Sequence, residues 1–125
     1  MNDNYILTTA EEKLAAIIWQ NAPIPSPRLV DMTQKKLDWK KSTTYTVLRR
    51  LCDKGIFKNE NTIVTVALTS KELLARQSRQ FVDDAFSGSL PGFIAAFVGG
   101  GGKLSPKEAD ELRKLIEAHQ EVSKP

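Results

Sequence analysis

The sequence predicts a mainly α-helical protein in which three helices, a β-hairpin and three further helices follow one another. Three observations predict this class. Helix-capping patterns recur along the chain, apolar residues repeat at helical spacing between them, and two short β-branched runs separate the third helix from the fourth. With 125 residues, of which 41% are apolar and 26% are charged, the chain is long enough to bury a core without disulfides.

The first three helices are predicted from their start and stop signals. Thr8 and Glu11 have the spacing of a capping box, in which each side chain accepts from a free backbone N–H of the other residue. Ser26-Pro27 resembles an N-cap followed by the first helical residue. Gly55 stands where a glycine ends a helix, behind an apolar stripe that includes Val47 and Leu51. The predicted bounds of these helices are about 8–20, 26–36 and 41–54.

The hairpin and the last three helices follow from similar local signals. Ile56-Phe57-Lys58 and Ile63-Val64-Thr65-Val66 predict two strands, and Asn59-Glu60-Asn61 predicts the turn between them. Thr69-Ser70-Lys71-Glu72 and Ser105-Pro106-Lys107-Glu108 predict two more capped helix starts. A glycine run separates the last two helices as a spacer. The predicted helices span about 70–87, 90–98 and 105–121, and we expect residues 1–69 and 70–125 to form two regions.

Charge is distributed unevenly along the chain. Residues 28–58 carry nine basic and three acidic side chains, whereas residues 71–125 carry eight of each. A basic segment ahead of a neutral tail indicates an anionic polymer as partner. The third helix also has a polar, partly basic face that a core does not need, and a helix followed by a hairpin can enter the major groove of DNA. A helical module that docks another protein through this face is the alternative that stays open.

Catalysis is not predicted. A single cysteine, Cys52, excludes a disulfide framework and a multi-cysteine metal site, and the only histidine, His119, argues against most acid–base chemistry. We expect no enzyme activity, no cofactor and no metal, and we expect Cys52 to be a structural thiol, with a redox role left open. The N-terminus lacks the layout of a signal peptide, and the apolar runs are shorter than a membrane span, so we expect a cytoplasmic protein without membrane insertion.

Several patterns occur together between about Leu7 and Glu121. They are Thr8-Thr9-Ala10-Glu11, Ile17-Ile18-Trp19, Asp38-Trp39, Thr43, Thr46, Arg50-Leu51, Lys54-Gly55, the run 93–98, Leu104-Ser105 and Glu111-Leu112. This combination resembles the penicillinase repressors of BlaI/MecI/CopY type. The resemblance implies an N-terminal winged helix-turn-helix and a C-terminal three-helix dimerisation region. It also implies a bacterial repressor of a β-lactamase, methicillin-resistance or copper-homeostasis gene. The tail lacks the cysteine cluster of the copper-sensing branch, so we do not expect copper sensing.

DNA contacts and dimer contacts are predicted on this basis. We expect a homodimer on a pseudo-palindromic double-stranded operator, with Thr43 and Tyr45 at base edges. The predicted contacts to the DNA backbone are Lys41, Ser42, Thr46, Arg50, Lys54 and Lys58. The predicted dimerisation residues are Leu74, Phe81, Phe86, Leu90, Phe93, Ile94, Phe97, Leu112, Leu115 and Ile116.

The resemblance also implies how repression ends. In the β-lactam-responsive branch, a membrane metalloprotease sensor system triggers a cut in the helix that corresponds to residues 90–98. The cut lies between an Asn and a Phe. The Phe corresponds to Phe97, whereas the Asn position is Ala96 in this chain. The candidate cleavage site is therefore the Ala96–Phe97 bond.

Overall fold

The structure, a computed structural model, describes residues 5–121. Within that range it has six helices and a three-stranded antiparallel sheet, so the predicted fold class is confirmed. The elements are α1 Thr9–Asn21, β1 Ile24–Pro25, α2 Ser26–Leu37, α3 Lys41–Asp53, β2 Phe57–Glu60, β3 Ile63–Val66, α4 Ser70–Phe86, α5 Leu90–Gly99 and α6 Pro106–Ala118. The chain divides into two compact units, Met1–Phe81 and Val82–Pro125, and α4 contributes to both.

The core of the first unit lies between α1, α3 and the sheet. Leu14, Ile18, Leu51 and Phe57 are each at most 1% exposed. The indole N–H of Trp19 donates to the Leu68 carbonyl oxygen at 2.9 Å, and the Trp19 ring lies 5.4 Å from that of Phe57. Burying large aliphatic and aromatic side chains in this way is the main favourable contribution to folding. The apolar stripe predicted for α3 therefore faces a core that it shares with α1.

The predicted capping signals of the first unit occur at two helix starts and one helix end. Thr8 and Glu11 form the predicted capping box at α1, and Thr69 and Glu72 form the second one at α4. At the end of α3, Gly55 has a φ of +79°, which favours glycine. The Gly55 N–H donates to the Cys52 carbonyl oxygen, and the Ile56 N–H donates to the Leu51 carbonyl oxygen. This is a Schellman motif, which satisfies two of the last carbonyls of the helix.

The sheet corrects two predictions. The segment Ile24–Pro25, which lies outside the two predicted strands, forms the edge strand β1 against β3. Proline is tolerated there because an edge strand need not donate outwards. The hairpin turn is Asn61-Thr62 rather than Asn59-Glu60-Asn61. Both turn residues have positive φ, 52° and 63°, as a two-residue type I′ turn requires. We call the hairpin of residues 57–66 the wing.

The start of α2 corrects a third prediction. Ser26 is not the N-cap; that position is Pro25, which makes no side-chain cap hydrogen bond. Ser26 is instead helical and buried, and its hydroxyl oxygen accepts from the Tyr45 hydroxyl at 3.3 Å. Its backbone N–H donates to the Thr62 carbonyl oxygen at 2.7 Å. The start of α2 is therefore held by α3 and by the tip of the wing.

The second unit contains the end of α4 together with α5 and α6. The Ser89 hydroxyl oxygen caps α5 by accepting from the Gly92 N–H, and Ser105 with Glu108 forms the predicted capping box of α6. The rings of Phe86 and Phe93 pack edge to face at 5.5 Å. Helix α6 ends at Ala118, three residues before the predicted end, and His119 is its C-cap.

No single helix in residues 5–121 is both long enough and apolar enough to span a bilayer. The pair α4 and α5 meets both requirements only when the two helices are counted together, and this pair is bent by 79°.

Candidate nucleic-acid interface

The outer face of α3 is polar and accessible. Thr44, Val47, Leu48 and Leu51 are buried, and they define the inner side of the helix. The opposite side exposes hydroxyl and basic side chains with a single acidic residue. Its exposed members are Lys41, Ser42, Thr43, Thr46, Arg49, Arg50 and Asp53. A helix with this composition has donors and acceptors suited to base edges and phosphates.

A buried pair of hydroxyl groups fixes α3 to α2. Thr33 and Thr44 share a short hydrogen bond, and both are fully buried. The Thr33 hydroxyl also contacts the Val30 carbonyl oxygen at 3.0 Å. Between the helices, Asp38 ends α2 in the left-handed conformation with a φ of 56°. These contacts set the angle of the helix-turn-helix, because a buried hydroxyl is costly unless it is hydrogen-bonded.

The beginning of α3 is a basic corner. Lys35 and Lys36 lie in the last turn of α2, and Lys40 and Lys41 begin α3; all four are exposed. The N-cap residue Lys40 makes no side-chain cap hydrogen bond. The free N–H groups and the positive end of the helix dipole therefore reinforce the lysine charges, which favours a phosphate at this position.

The ammonium of Lys54, a predicted contact to the DNA backbone, is hydrogen-bonded within the fold. Its ammonium donates to Glu11 Oε1 and to the Ile6 carbonyl oxygen, each at 3.0 Å, and its side chain is only 11% exposed. Burial alone would raise the pKa of Glu11. The hydrogen bonds from the Thr8 N–H and from Lys54 outweigh it, so the pKa of Glu11 is lowered from its ordinary value. Lys54 therefore joins the end of α3 to the start of α1.

Thr43 and Tyr45 lie on opposite flanks of α3. Two residues correspond to about 200° around a helix, so both cannot face the same groove floor. Thr43 is exposed, whereas Tyr45 is half-buried with its hydroxyl bonded to Ser26. Between these flanks, Ser42 and Thr46 lie one turn apart. The predicted set of DNA contacts omits Arg49, which is exposed on the same polar face of α3.

The wing contributes little charge to this surface. Lys58 is exposed on β2, and Glu60 is exposed two residues later on the same strand. A shallow cavity of about 300 Å³ lies between α3 and β2 and is lined by Tyr45, Leu48, Arg49, Cys52 and Asn59. The basic character of the interface therefore comes from the helices, and the wing adds one cation.

The other titratable groups of residues 5–121 indicate no reactive centre. Cys52 is half-buried, and burial together with the neighbouring Asp53 charge raises the pKa of its thiol. Reactive thiols have the opposite property, a lowered pKa. Within residues 5–121, no group of three or more histidine, cysteine, aspartate or glutamate side chains is arranged to hold a metal ion.

Comparison with known proteins identifies the family. The sequence model of the family described as penicillinase repressor matches residues 7–118. This chain belongs to the penicillinase repressor family. The resemblance predicted from the sequence is thereby confirmed. Penicillinase repressors are a family of transcription regulators rather than enzymes, and the family implies DNA binding and dimerisation in general.

One relative shares part of the sequence of this penicillinase repressor family member. A stretch of 54 residues is 39% identical to a protein of Latilactobacillus sakei named as an uncharacterized 16.5 kDa protein in the ptsI 3′ region. The matched stretch covers 43% of this chain and 37% of that protein.

Proposed function

We propose that this protein is a homodimeric transcriptional repressor that binds a pseudo-palindromic DNA operator in the bacterial cytoplasm. Residues 1–69 form the DNA-binding winged helix, and residues 70–125 form the dimerisation region. The observation that carries the proposal is the exposed hydroxyl-rich and basic face of α3, which buried contacts fix in a helix-turn-helix. The family supports a β-lactamase or antibiotic-resistance gene as the regulated gene.

The contact set follows from the positions of the side chains. Ser42, Thr43 and Thr46 lie on the exposed surface of α3, and we assign them to base edges. Tyr45 holds α3 to α2 through Ser26. Lys54 stabilises the fold through Glu11. The exposed cations assigned to phosphates are Lys41, Arg49, Arg50 and Lys58.

Dimerisation is supported by exposed apolar side chains on the last three helices. Leu74, Phe97, Leu115 and Ile116 are each more than half exposed. Isolated apolar residues are common on protein surfaces, but this many in three short helices indicates an interface. Of the other predicted dimerisation residues, Phe86, Phe93 and Leu112 are half-buried within the chain. The exposed ones are Phe81, Leu90 and Ile94.

Titration of labelled DNA tests the function. Fluorescence anisotropy with DNA from upstream of its own gene should give specific binding. About four phosphates neutralised per subunit predict a slope of about −7 for log K against log salt in the dimer. Arg50→Ala should weaken binding to operator and random DNA alike, whereas Thr46→Ala should weaken the operator selectively, by roughly 1–3 kcal/mol per affected base pair. Lys71→Ala, at the start of α4, is the matched control. Absence of DNA binding, together with capture of a protein through α3, would favour the interaction module.

We further propose that a metalloprotease sensor system ends repression by a cut at Ala96–Phe97. The bond lies within α5, and Phe97 is 52% exposed. A protease binds its substrate extended, so α5 must open locally first. The glycines that follow the bond favour this opening, since glycine weakens helix continuity. Mass spectrometry of protein from induced cells should show the two fragments. Full-length protein that persists through derepression would exclude the cut.

A further inference from the structure

The N-terminal segment ahead of α1 is hydrogen-bonded to both the end of α3 and the first half of α4. Residues 5–8 form no regular secondary structure. Tyr5 is bonded to α4, and the adjacent Ile6 carbonyl oxygen accepts from Lys54 at the end of α3. These partners are far away in the sequence, since Tyr5 and Gln80 are 75 residues apart. The segment therefore joins α3 and the first half of α4 within the first unit.

The bonds to α4 involve both the backbone and the side chain of Tyr5. The Tyr5 N–H donates to Gln80 Oε1 at 3.0 Å, and the Gln77 amide donates to the Tyr5 carbonyl oxygen at 2.8 Å. Arg76 donates to the Tyr5 hydroxyl at 2.8 Å, and its guanidinium carbon lies 5.4 Å from the ring centre. We call the contacts of Tyr5 with these three α4 side chains the Tyr5 clasp.

The Tyr5 clasp explains why the face of α4 that carries Gln77 and Gln80 is polar. Leu73 is buried, and Gln77 and Gln80 follow it at four and seven residues, the spacing of one helix face. Further apolar residues would be expected there if the face met only a core. Glutamine side chains instead supply an acceptor and a donor for the backbone of Tyr5. The exposed Leu74 and Phe81 lie on a different side of the same helix.

We propose that the Tyr5 clasp is a positioning device that sets the half-site spacing at which the dimer binds DNA, with Tyr5, Gln77 and Gln80 as the positioning residues. The inference rests on the proposed function. The clasp fixes residues 70–81 of α4 against the rest of the first unit, which carries α3. The same stretch of α4 presents Leu74 and Phe81, two of the proposed dimer contacts. If α4 could move relative to α3, the distance between the two copies of α3 in the proposed dimer would vary. A clasped α4 restricts the dimer to one spacing.

The test uses the full chain and operators that differ only in spacing. One inserted base pair moves a half-site by about 3.4 Å and rotates it by about 34°. The wild type should lose at least tenfold in affinity on that insertion, since engagement of the second half-site is lost. The clasp variants are Gln77→Ala/Gln80→Ala and Arg76→Ala; the matched control is Arg79→Ala, which removes the same charge from the same helix. In the clasp variants the loss should fall below about threefold, while affinity for an isolated half-site stays within twofold of wild type.

Two outcomes would overturn the proposed role of the Tyr5 clasp. In the first, the variants keep the full spacing penalty of the wild type. In the second, half-site and full-operator affinities fall together, which would show a general effect on folding. Hydrogen exchange supplies a readout without DNA: amides of residues 70–81 should exchange faster in Gln77→Ala/Gln80→Ala and not in Arg79→Ala. If the wild-type protein binds no DNA, the proposed function itself is contradicted. This outcome differs from failure of the clasp proposal, which is judged by comparing the variants with a wild type that does bind.

Discussion

Glu11 is almost fully buried, and its Oε2 has no hydrogen-bond partner among the described residues. Its other oxygen, Oε1, accepts from both the Thr8 N–H and the Lys54 ammonium. Removal of one partner from a buried ion pair leaves an uncompensated charge, which is more costly than removal of both partners. The pair therefore makes α1 and the end of α3 dependent on each other.

Lys54→Met should lower the free energy of unfolding by about 2–4 kcal/mol at neutral pH, because it leaves the Glu11 carboxylate buried without a cation. Urea denaturation measures the change. Glu11→Gln/Lys54→Met should cost less than the sum of the two single changes. Lys58→Met, on the exposed side of β2, is the control and should change stability by less than about 0.5 kcal/mol. Equal effects of Lys54→Met and Lys58→Met would contradict a stabilising role for the ion pair.

The same pair predicts a pH dependence. The folded-state pKa of Glu11 is lowered from its ordinary value of 4.5. Its contribution to stability is therefore fully present above the ordinary value and is lost as pH falls through the lower folded-state value. Denaturation curves of wild type and Lys54→Met should thus be furthest apart near pH 7 and should converge below about pH 4.5. A gap that stays constant down to pH 3 would exclude this linkage.

At the scale of elements, the end of α3 depends on one backbone conformation. Gly55 has a φ of +79°, and a Cβ added there would meet nothing within 4 Å. Gly55→Ala should therefore lower the free energy of unfolding by about 1–2 kcal/mol through backbone strain alone. Gly55→Asn should cost less, since asparagine tolerates this conformation better. Gly99→Ala, where the added Cβ also meets nothing within 4 Å, is the control. Thermal unfolding compares the three, and equal melting temperatures would argue against strain at Gly55.

At the scale of the whole molecule, tight binding to the operator requires the proposed dimer, because each subunit would contact one half-site. Phe97 is 52% exposed, so Phe97→Asp should change the fold of the monomer little. In a dimer the new carboxylate would lie unpaired in an apolar interface, which is costly. Sedimentation velocity at tens of micromolar should show wild-type dimer and variant monomer, and full-operator affinity should fall at least 100-fold through lost avidity. Lys13→Asp on α1 should leave the dimer intact. Wild type that is monomeric at this concentration would contradict the proposed assembly.

The sequence alone determined the features whose causes are local. Thr8 with Glu11 and Ser105 with Glu108 predicted helix starts, because a capping box is complete within four residues. Gly55 predicted a helix end for the same reason, and the apolar spacing of α3 predicted its buried and exposed sides. These signals, with the family resemblance, were sufficient for the fold class and for the choice of α3 as the candidate recognition helix.

Features that depend on residues distant in sequence become visible only in the folded chain. The strand β1 exists because β3, about 40 residues later, pairs with it. Lys54 resembled a phosphate contact in the basic segment, but the fold places Glu11, 43 residues away, beside its ammonium. Tyr45 is held by Ser26, and Tyr5 is held by α4. A charge or hydroxyl has no partner encoded by its immediate neighbours, and which group it contacts is determined when chain folding brings distant segments together.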